Sequence, residues 1–324
     1  MGGAPESLSW NGKLSRLVCR GASEQSGPFS LSEISHHMTS VDLTGFQTPG
    51  RGRGVLDVFN HGYLLRLLIR KGTATRYRNS VLGWTWSYVK PAAQFFIYYF
   101  VMGVVLQFHR DVENFAIYLF AGVVAINLFN EAFGNATHSI VDNRALVRKI
   151  YLPRELFPIS TIIIALIHFL PQVAILLLAC ILVGWTPTFL SLGAFVIGLV
   201  IVLMMSLGLG LLFGALNVRY RDAQNFVEII RMLSTWASPV LYTIAMVQAT
   251  LPEWAFRIYM LNPLTTAVEL FHYAFWAPTT TTPTDTLAPS IVGDVFLSLG
   301  ICAVLIVIGQ IVFRRFERSF AQDL

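Results

Sequence analysis

Residues 190–217 read LSLGAFVIGLVIVLMMSLGLGLLFGALN, a run without a charged side chain or a proline. Crossing about 30 Å of hydrocarbon takes roughly 20 apolar residues as a helix, so this stretch alone is long enough to span a bilayer. A helix on the surface of a soluble protein would need polar residues on its outer face. Working outward, runs of the same kind recur on both sides. The expected spans are 88–108, 115–136, 159–183, 190–217, 226–247 and 293–313. Lys90 lies at the start of the first, Glu131 near the end of the second, His168 and a kinking Pro171 in the third, and Glu228 with Arg231 in the fifth.

Composition agrees. Of 324 residues, 55% are hydrophobic and 13% charged, where a soluble domain carries about 25% charged residues. Cys19, Cys180 and Cys302 form no CxxC or Cys/His cluster, so neither a zinc site nor a disulfide framework is expected. No cleavable signal peptide is expected, because the first long apolar run begins near Pro91.

A seventh apolar stretch, 254–276, contains Arg257, Glu269, His272 and a central Pro263. It reads either as a seventh span or as a re-entrant hairpin broken around Asn262-Pro263, and charge decides between them. Lys and Arg collect in short cytoplasmic loops. With six spans, 17 basic residues fall on one side (between Arg51 and Lys90, Arg144 and Arg154, at Arg219 and Arg221, and from Arg314 to Arg318) against Arg110 and Arg257 on the other. A seventh span would put Arg314–Arg318 outside. The hairpin is therefore preferred, with both termini cytoplasmic. The net charge of +5 is a topology signal, and a nucleic-acid partner is not expected.

The expected architecture is an all-α membrane protein with six transmembrane helices, an amino-terminal amphipathic interface helix and a re-entrant hairpin between spans five and six. Residues 1–54, rich in Ser, Gly and Thr, read as a flexible cytoplasmic extension. Residues 55–79 read as an interface helix and gate segment: Leu56, Phe59, Tyr63, Leu64, Leu67 and Leu68 recur at helical spacing with Arg66, Arg70 and Lys71 largely opposite. The transmembrane domain is 80–320. Gly210 and Gly214 make a GxxxG that serves either packing within one chain or a dimer face. The polar segment 279–290 reads as an outer spacer.

No phosphate loop, dinucleotide fingerprint, DxD pair, HExxH or GxSxG is present. A transporter remains, and ATP-driven work would have to come from another chain. Intramembrane ionisable groups are functional candidates: Glu131, His168, Glu228, Arg231, Glu269 and His272. Glu228 and Arg231, three residues apart, can pair on one helix face. No carboxylate is clearly central, so structural pairing is preferred over ion coupling.

The run Arg76-Tyr77-Arg78-Asn79-Ser80-Val81-Leu82-Gly83-Trp84-Thr85-Trp86, leading to Lys90-Pro91, resembles the RYRxSxLGxxW signature of ABC-2-type permeases that export O-antigen, teichoic acid and related polysaccharides. Asp142–Glu155 is similar to that family's NxxLVxKxxFPRE element, Asn217–Asp222 to its NVxxRD turn, and Ser238–Tyr242 and Asn262–Leu264 to its SPVxY and NP blocks. The resemblance covers residues 55–320. It implies the transmembrane subunit of an exporter moving polyprenyl-pyrophosphate-linked polysaccharide across the inner membrane. The implied partners are a second copy of itself and two nucleotide-binding ATPase subunits that carry ATP and Mg. No cofactor is expected on this chain. An ABC-2 exporter of a small amphiphile or drug is the alternative, and a proton-coupled carrier or a membrane-bound lipid-modifying enzyme the further ones.

The family's ATPase-docking coupling helix maps onto Asn143, Arg144, Leu146, Val147, Arg148, Lys149, Ile150 and Tyr151. Leu146, Val147 and Ile150 can form an apolar knob there, and Arg144, Arg148 and Lys149 can meet acidic rims. Arg76 and Arg78 at the cytoplasmic entrance suit bidentate contact with the pyrophosphate, or equally with anionic lipid. Phe95, Phe96, Tyr98, Tyr99, Trp236 and Tyr242 are candidate channel-lining platforms for pyranose rings, and aromatic interface anchors are the competing reading. Asn262 and Pro263 mark the re-entrant gate. The long amino-terminal extension departs from the family's short start and points to an actinobacterial branch, for which a cell-wall galactan precursor would be the substrate.

Overall fold

The computed structural model describes residues 58, 60–76, 83–107, 112–149, 152–220, 222–280, 291–317 and 319–320, all within the compact unit Pro49–Leu324. Of the sites named above, Arg78, Ile150, Tyr151, the side chain of Arg76 and the extension 1–54 lie outside the described residues.

Eleven helices follow in order among the described residues. They are α1 (Gly62–Arg76), α2 (Trp86–Tyr98, continuing as wider π-type turns Tyr99–Val105), α3 (Phe115–Asp142), α4 (Arg144–Lys149), α5 (Leu156–Leu182), α6 (Phe189–Arg219), α7 (Ala223–Trp236), α8 (Ile244–Thr250), α9 (Glu253–Met260), α10 (Pro263–Phe271, continued by His272–Trp276) and α11 (Ile291–Glu317). No strand occurs among the described residues. Local chemistry sets the boundaries. Thr188 and Ser191 cap α6 reciprocally, each side chain taking the other's backbone N–H. α5 stops at Gly184, whose φ of 89° suits a residue without a Cβ.

Among the described residues, five helices are long and apolar enough to cross a membrane: 86–105, 115–142, 156–182, 189–219 and 291–317. The expected fifth span, 226–247, is not one helix. α7 has 14 residues, about 21 Å at 1.5 Å per residue, and the chain then runs irregularly through Ala237–Thr243 before α8. Pro239 explains the break, since it lacks an N–H and disfavours α geometry at the residue before it. The stretch 254–276 divides at Asn262-Pro263 into α9 and α10. Asn262 caps α10, its Oδ1 accepting from the Leu264 N–H at 3.1 Å, and Pro263 takes the first helical position.

α3 is the hub. In its most apolar 18-residue stretch 78% of residues are buried, against 11% in α2 and in α11. α5, α6 and α10 pack against it, and α11 packs against α6. The contacts of α6 are made through small residues. A Cβ at Gly210 would sit 2.6 Å from Ala136 Cβ and one at Gly214 would sit 3.4 Å from the Ala136 carbonyl oxygen. The GxxxG left open above is therefore an intrachain face, pressed on α3. On α6's other side, Gly208 meets the Leu305–Ile306 backbone of α11. Large side chains left exposed, such as Phe96, Leu178, Val196 and Val304, form the outer apolar face. α1 leans on α5, Gly72 lying against Ile164, while Tyr63 and Leu67 stay exposed.

Replacing Gly208 by Val drives a Cβ to 2.8 Å from the Leu305 carbonyl carbon, backbone that cannot yield, and overpacking of this kind costs about 1–3 kcal/mol. Thermal unfolding in detergent should show a lowered transition for Gly208→Val. Gly300→Ala, where nothing lies within 4 Å of the added Cβ, should leave it unchanged.

Candidate functional site

Between Phe120 and Ile140 every side chain of α3 is buried except Asn127, Asn130, Glu131, Asn135 and His138. Their spacing of three and four places them along one face of the helix. The least buried face of this apolar helix is thus wholly polar.

That face walls a cavity of about 430 Å³. α2 contributes Ser87, Lys90 and Gln94, α5 contributes His168 and Gln172, and α7 contributes Arg231. Ser87, His168 and Arg231 are held in place. His168 Nδ1 is 3.1 Å from Ser87 Oγ. The Arg231 guanidinium lies flat on Gly134, where an added Cβ would be 3.1 Å from Nη1. This corrects the expected Glu228–Arg231 pair: Arg231 turns into the cavity through the space Gly134 leaves, Glu228 stays exposed, and the two form no ion pair. Asn130 Oδ1, Gln172 Oε1 and Arg231 Nε have no hydrogen-bond partner among the described residues. The lining residues carry donors and acceptors side by side.

A second cavity, about 440 Å³, shares Asn135 with the first and reaches Lys71, Thr75, Asp142 and Asn143. The polar face of α3 thus runs from mid-helix to its carboxy-terminal end, where α4 begins. Asn143 forms the joint. Its backbone carbonyl accepts from Leu146 and Val147 N–H at 2.9 and 3.1 Å. Its Nδ2 donates to the Ser139 carbonyl at 2.8 Å, and its Oδ1 accepts from Lys71 Nζ at 3.0 Å.

On α4 the side chains of Arg144, Arg148 and Lys149 are exposed and Leu146 is half-buried. Val147 corrects the expected knob. It is 7% exposed and packs inward with Ile140, Phe157, Leu211 and Phe313, because a six-residue helix needs an apolar anchor to sit on the bundle. Arg154 Nη1 donates to the Glu317 carbonyl and its guanidinium lies over Phe320. Buried Glu155 accepts from Gln310 at 3.0 Å. The end of this element is thereby bolted to α11. Asn217 ties α6 to α3, donating to the Thr137 carbonyl at 3.2 Å.

The candidate aromatics divide into two places. Phe95 and Tyr99 pack against α3 through Phe120 and Phe115, ring centroids 5.0 and 6.4 Å apart. Tyr98 is half-buried and Phe96 exposed. Trp236 is exposed, and Tyr242 donates to the Trp236 carbonyl at 2.5 Å. Trp236 closes α7 and Tyr242 stands in the turn after it, the turn that Asn262 also holds. None of the six lines the 430 Å³ cavity. The residues that do include five carboxamides, Gln94, Asn127, Asn130, Asn135 and Gln172. Sequence reading concentrated on ionisable groups and missed them. The available signal was three Asn at helical spacing inside an otherwise apolar run.

The ABC-2 type transporter model matches residues 63–276. The chain is 26% identical to an O-antigen export system permease protein RfbA of Klebsiella pneumoniae over 273 residues, 82% of this chain and 98% of that protein. It is 27% identical to the protein of the same name from Myxococcus xanthus over 225 residues, 69% and 84% of the two chains. With its run of long apolar helices and a family match over most of its length, the chain belongs to the ABC-2 type transporter family as a multi-pass membrane permease.

Proposed function

We propose that this chain is the transmembrane subunit of an ATP-driven exporter of polyprenyl-pyrophosphate-linked polysaccharide, a galactan precursor among the substrates it would suit. One observation carries the reading: the least buried face of α3 is a row of amides and charges at membrane depth. An amide left unpaired in hydrocarbon costs about 4–8 kcal/mol. Three such amides alone would cost about as much as, or more than, the 5–15 kcal/mol that hold a typical protein folded. The face therefore needs water or a polar occupant. Sugar hydroxyls, which both donate and accept, match a wall of mixed amides. A drug-like amphiphile would call for an apolar wall.

The relatives' name, O-antigen export permease, supports the same class of cargo. In this reading two copies complete the path. Two ATPase subunits, carrying ATP and Mg, dock on Arg144, Leu146, Arg148 and Lys149. Arg76 and Arg78 meet the pyrophosphate at the inner leaflet, and both termini are cytoplasmic. The aromatics Phe96 and Trp236 serve as outer sugar platforms. The Lys71–Asn143 bond supports transmission, since it links the docking element to α1 and to the lower cavity.

The test is co-reconstitution with the ATPase subunit and a defined lipid-linked oligosaccharide. Asn127→Leu with Asn130→Leu should leave assembly and ATP hydrolysis intact while export falls at least about tenfold, the effect of losing roughly 1.4 kcal/mol of contact. Unchanged export would remove the cavity from the path. Leu146→Asp should fold in membranes but lose stimulation of ATPase activity, whereas Val147→Asp should fail to accumulate because it buries an unpaired charge. Undiminished stimulation in Leu146→Asp would refute the docking assignment.

A further inference from the structure

Arg231 lies in the middle of α7, and its side chain enters the polar cavity beside α3. The register of the two helices fixes where it sits. Asn130 Nδ2 is 3.5 Å from Thr235 Oγ1, and one turn along, Gly134 meets Arg231. A Cβ at Gly134 would be 3.1 Å from Nη1, 3.2 Å from Cζ and 3.5 Å from Nε. Three such similar distances mean that the guanidinium lays its face, not its edge, on α3. Gly134 precedes Asp142, the last residue of α3, by eight positions. That is roughly 12 Å at 1.5 Å per residue, within a helix long and apolar enough to cross a membrane.

Face-on seating directs the N–H donors sideways, in the guanidinium plane. The buried Nε has no hydrogen-bond partner among the described residues, and the side chain forms no ion pair among them. Glu228, one turn back on α7, stays exposed. Arginine keeps its proton in proteins, so it cannot shed the charge as a buried lysine can. A cation inside a membrane segment is costly without a partner, and such a residue is a functional candidate.

Lys90 of α2 brings a second cation to the same cavity, again with no ion pair among the described residues. Glu131 is the single carboxylate among the described lining residues. Two fixed cations thus face one anion. In a cleft with low-dielectric walls an imbalance of this sign draws in anions. The carboxamides of Asn130 and Gln172 stand in the same lining, and amide N–H groups can complete the shell of an oxyanion.

We propose that Arg231 is an oxyanion-binding residue, whose guanidinium, seated on Gly134 and assisted by Lys90, holds a phosphate or carboxylate group of the cargo inside the polar cavity. The proposal rests on the reading of that cavity as the substrate path. The guanidinium fork grips two oxygens at once, which an ammonium does not. This site is additional to Arg76 and Arg78 at the entrance. Arg231 takes the cargo's charge, and the amides of α3 take its hydroxyls.

The test uses the full chain assembled with its ATPase subunit in proteoliposomes, with two cargoes. One is a polyprenyl pyrophosphate bearing a neutral oligosaccharide; the other bears the same oligosaccharide with one uronic acid. Arg231→Gln should lower the initial export rate at sub-saturating cargo at least about tenfold, the effect of losing a hydrogen bond to a charged group. A fall for both cargoes assigns the anion to the pyrophosphate, and a fall confined to the acidic cargo assigns it to the glycan. Arg231→Cys separates charge from shape. Aminoethyl methanethiosulfonate, which rebuilds a cation there, should restore export, and the neutral methyl reagent should not. Both variants remove a charge from a membrane helix, which favours insertion. Undiminished export of both cargoes by Arg231→Gln, or a cationic reagent that restores no more than the neutral one, overturns the proposal. If Asn127→Leu with Asn130→Leu still lowers export in that event, the path reading stands; if that variant also exports normally, both fail.

Discussion

Hydrocarbon offers no hydrogen bonds, and the architecture of this chain follows from how it meets that constraint. Regular helices satisfy their own backbones. Where α7 breaks at Pro239, the freed carbonyls of Ala237, Pro239 and Tyr242 are taken by Asn262, Thr265 and Tyr118. Irregular backbone is tolerated at depth only when protein supplies such partners. Side chains obey the same rule. The amides of α3 line a cavity within the bundle instead of joining its outer apolar face.

The bundle that surrounds this cavity is not held by the hydrophobic effect, because lipid tails are as apolar as leucine. Close backbone approach takes its place. Gly210 and Gly214 bring α6 onto Ala136, Gly208 brings it onto α11, and Gly134 makes room for Arg231. The same helix, α3, is therefore sealed by small residues on its inner faces and opened by amides on the remaining one. Packing faces and a polar cavity wall thus share one helix.

Much of this was legible in the sequence. Five of the six expected spans stand as helices because an uncharged run of sufficient length has few alternatives in a bilayer. Asn262-Pro263 breaks its helix where expected, an N-cap followed by an N1 proline. The fifth span was misread because hydropathy sums over Ser238-Pro239 without registering a lost N–H. Val147 looked outward-facing because a short helix between basic residues gives no periodicity from which to tell its inner side. The amides at 127, 130 and 135 were passed over since each is tolerable alone, and only their shared face on a buried helix gives them meaning. The motif blocks resolve into structural duties that no spacing announces: Asn217 pins α6 to α3, Glu155 and Arg154 bolt the segment after α4 to the end of the chain around α11, and Asn143 joins α3, α4 and α1.

The central claim is that the polar face of α3 is wet at membrane depth. Spin labels placed singly at Asn127, Glu131 and Asn135 in bilayer-reconstituted chain report it through collision rates with a water-soluble nickel chelate and with lipid-soluble oxygen. Labels at the outward-facing Val196 and Val304 serve as the lipid reference. The account predicts that chelate collisions dominate at the three α3 positions and oxygen collisions at the two reference positions. Oxygen-dominated collisions at 127, 131 and 135 would contradict it.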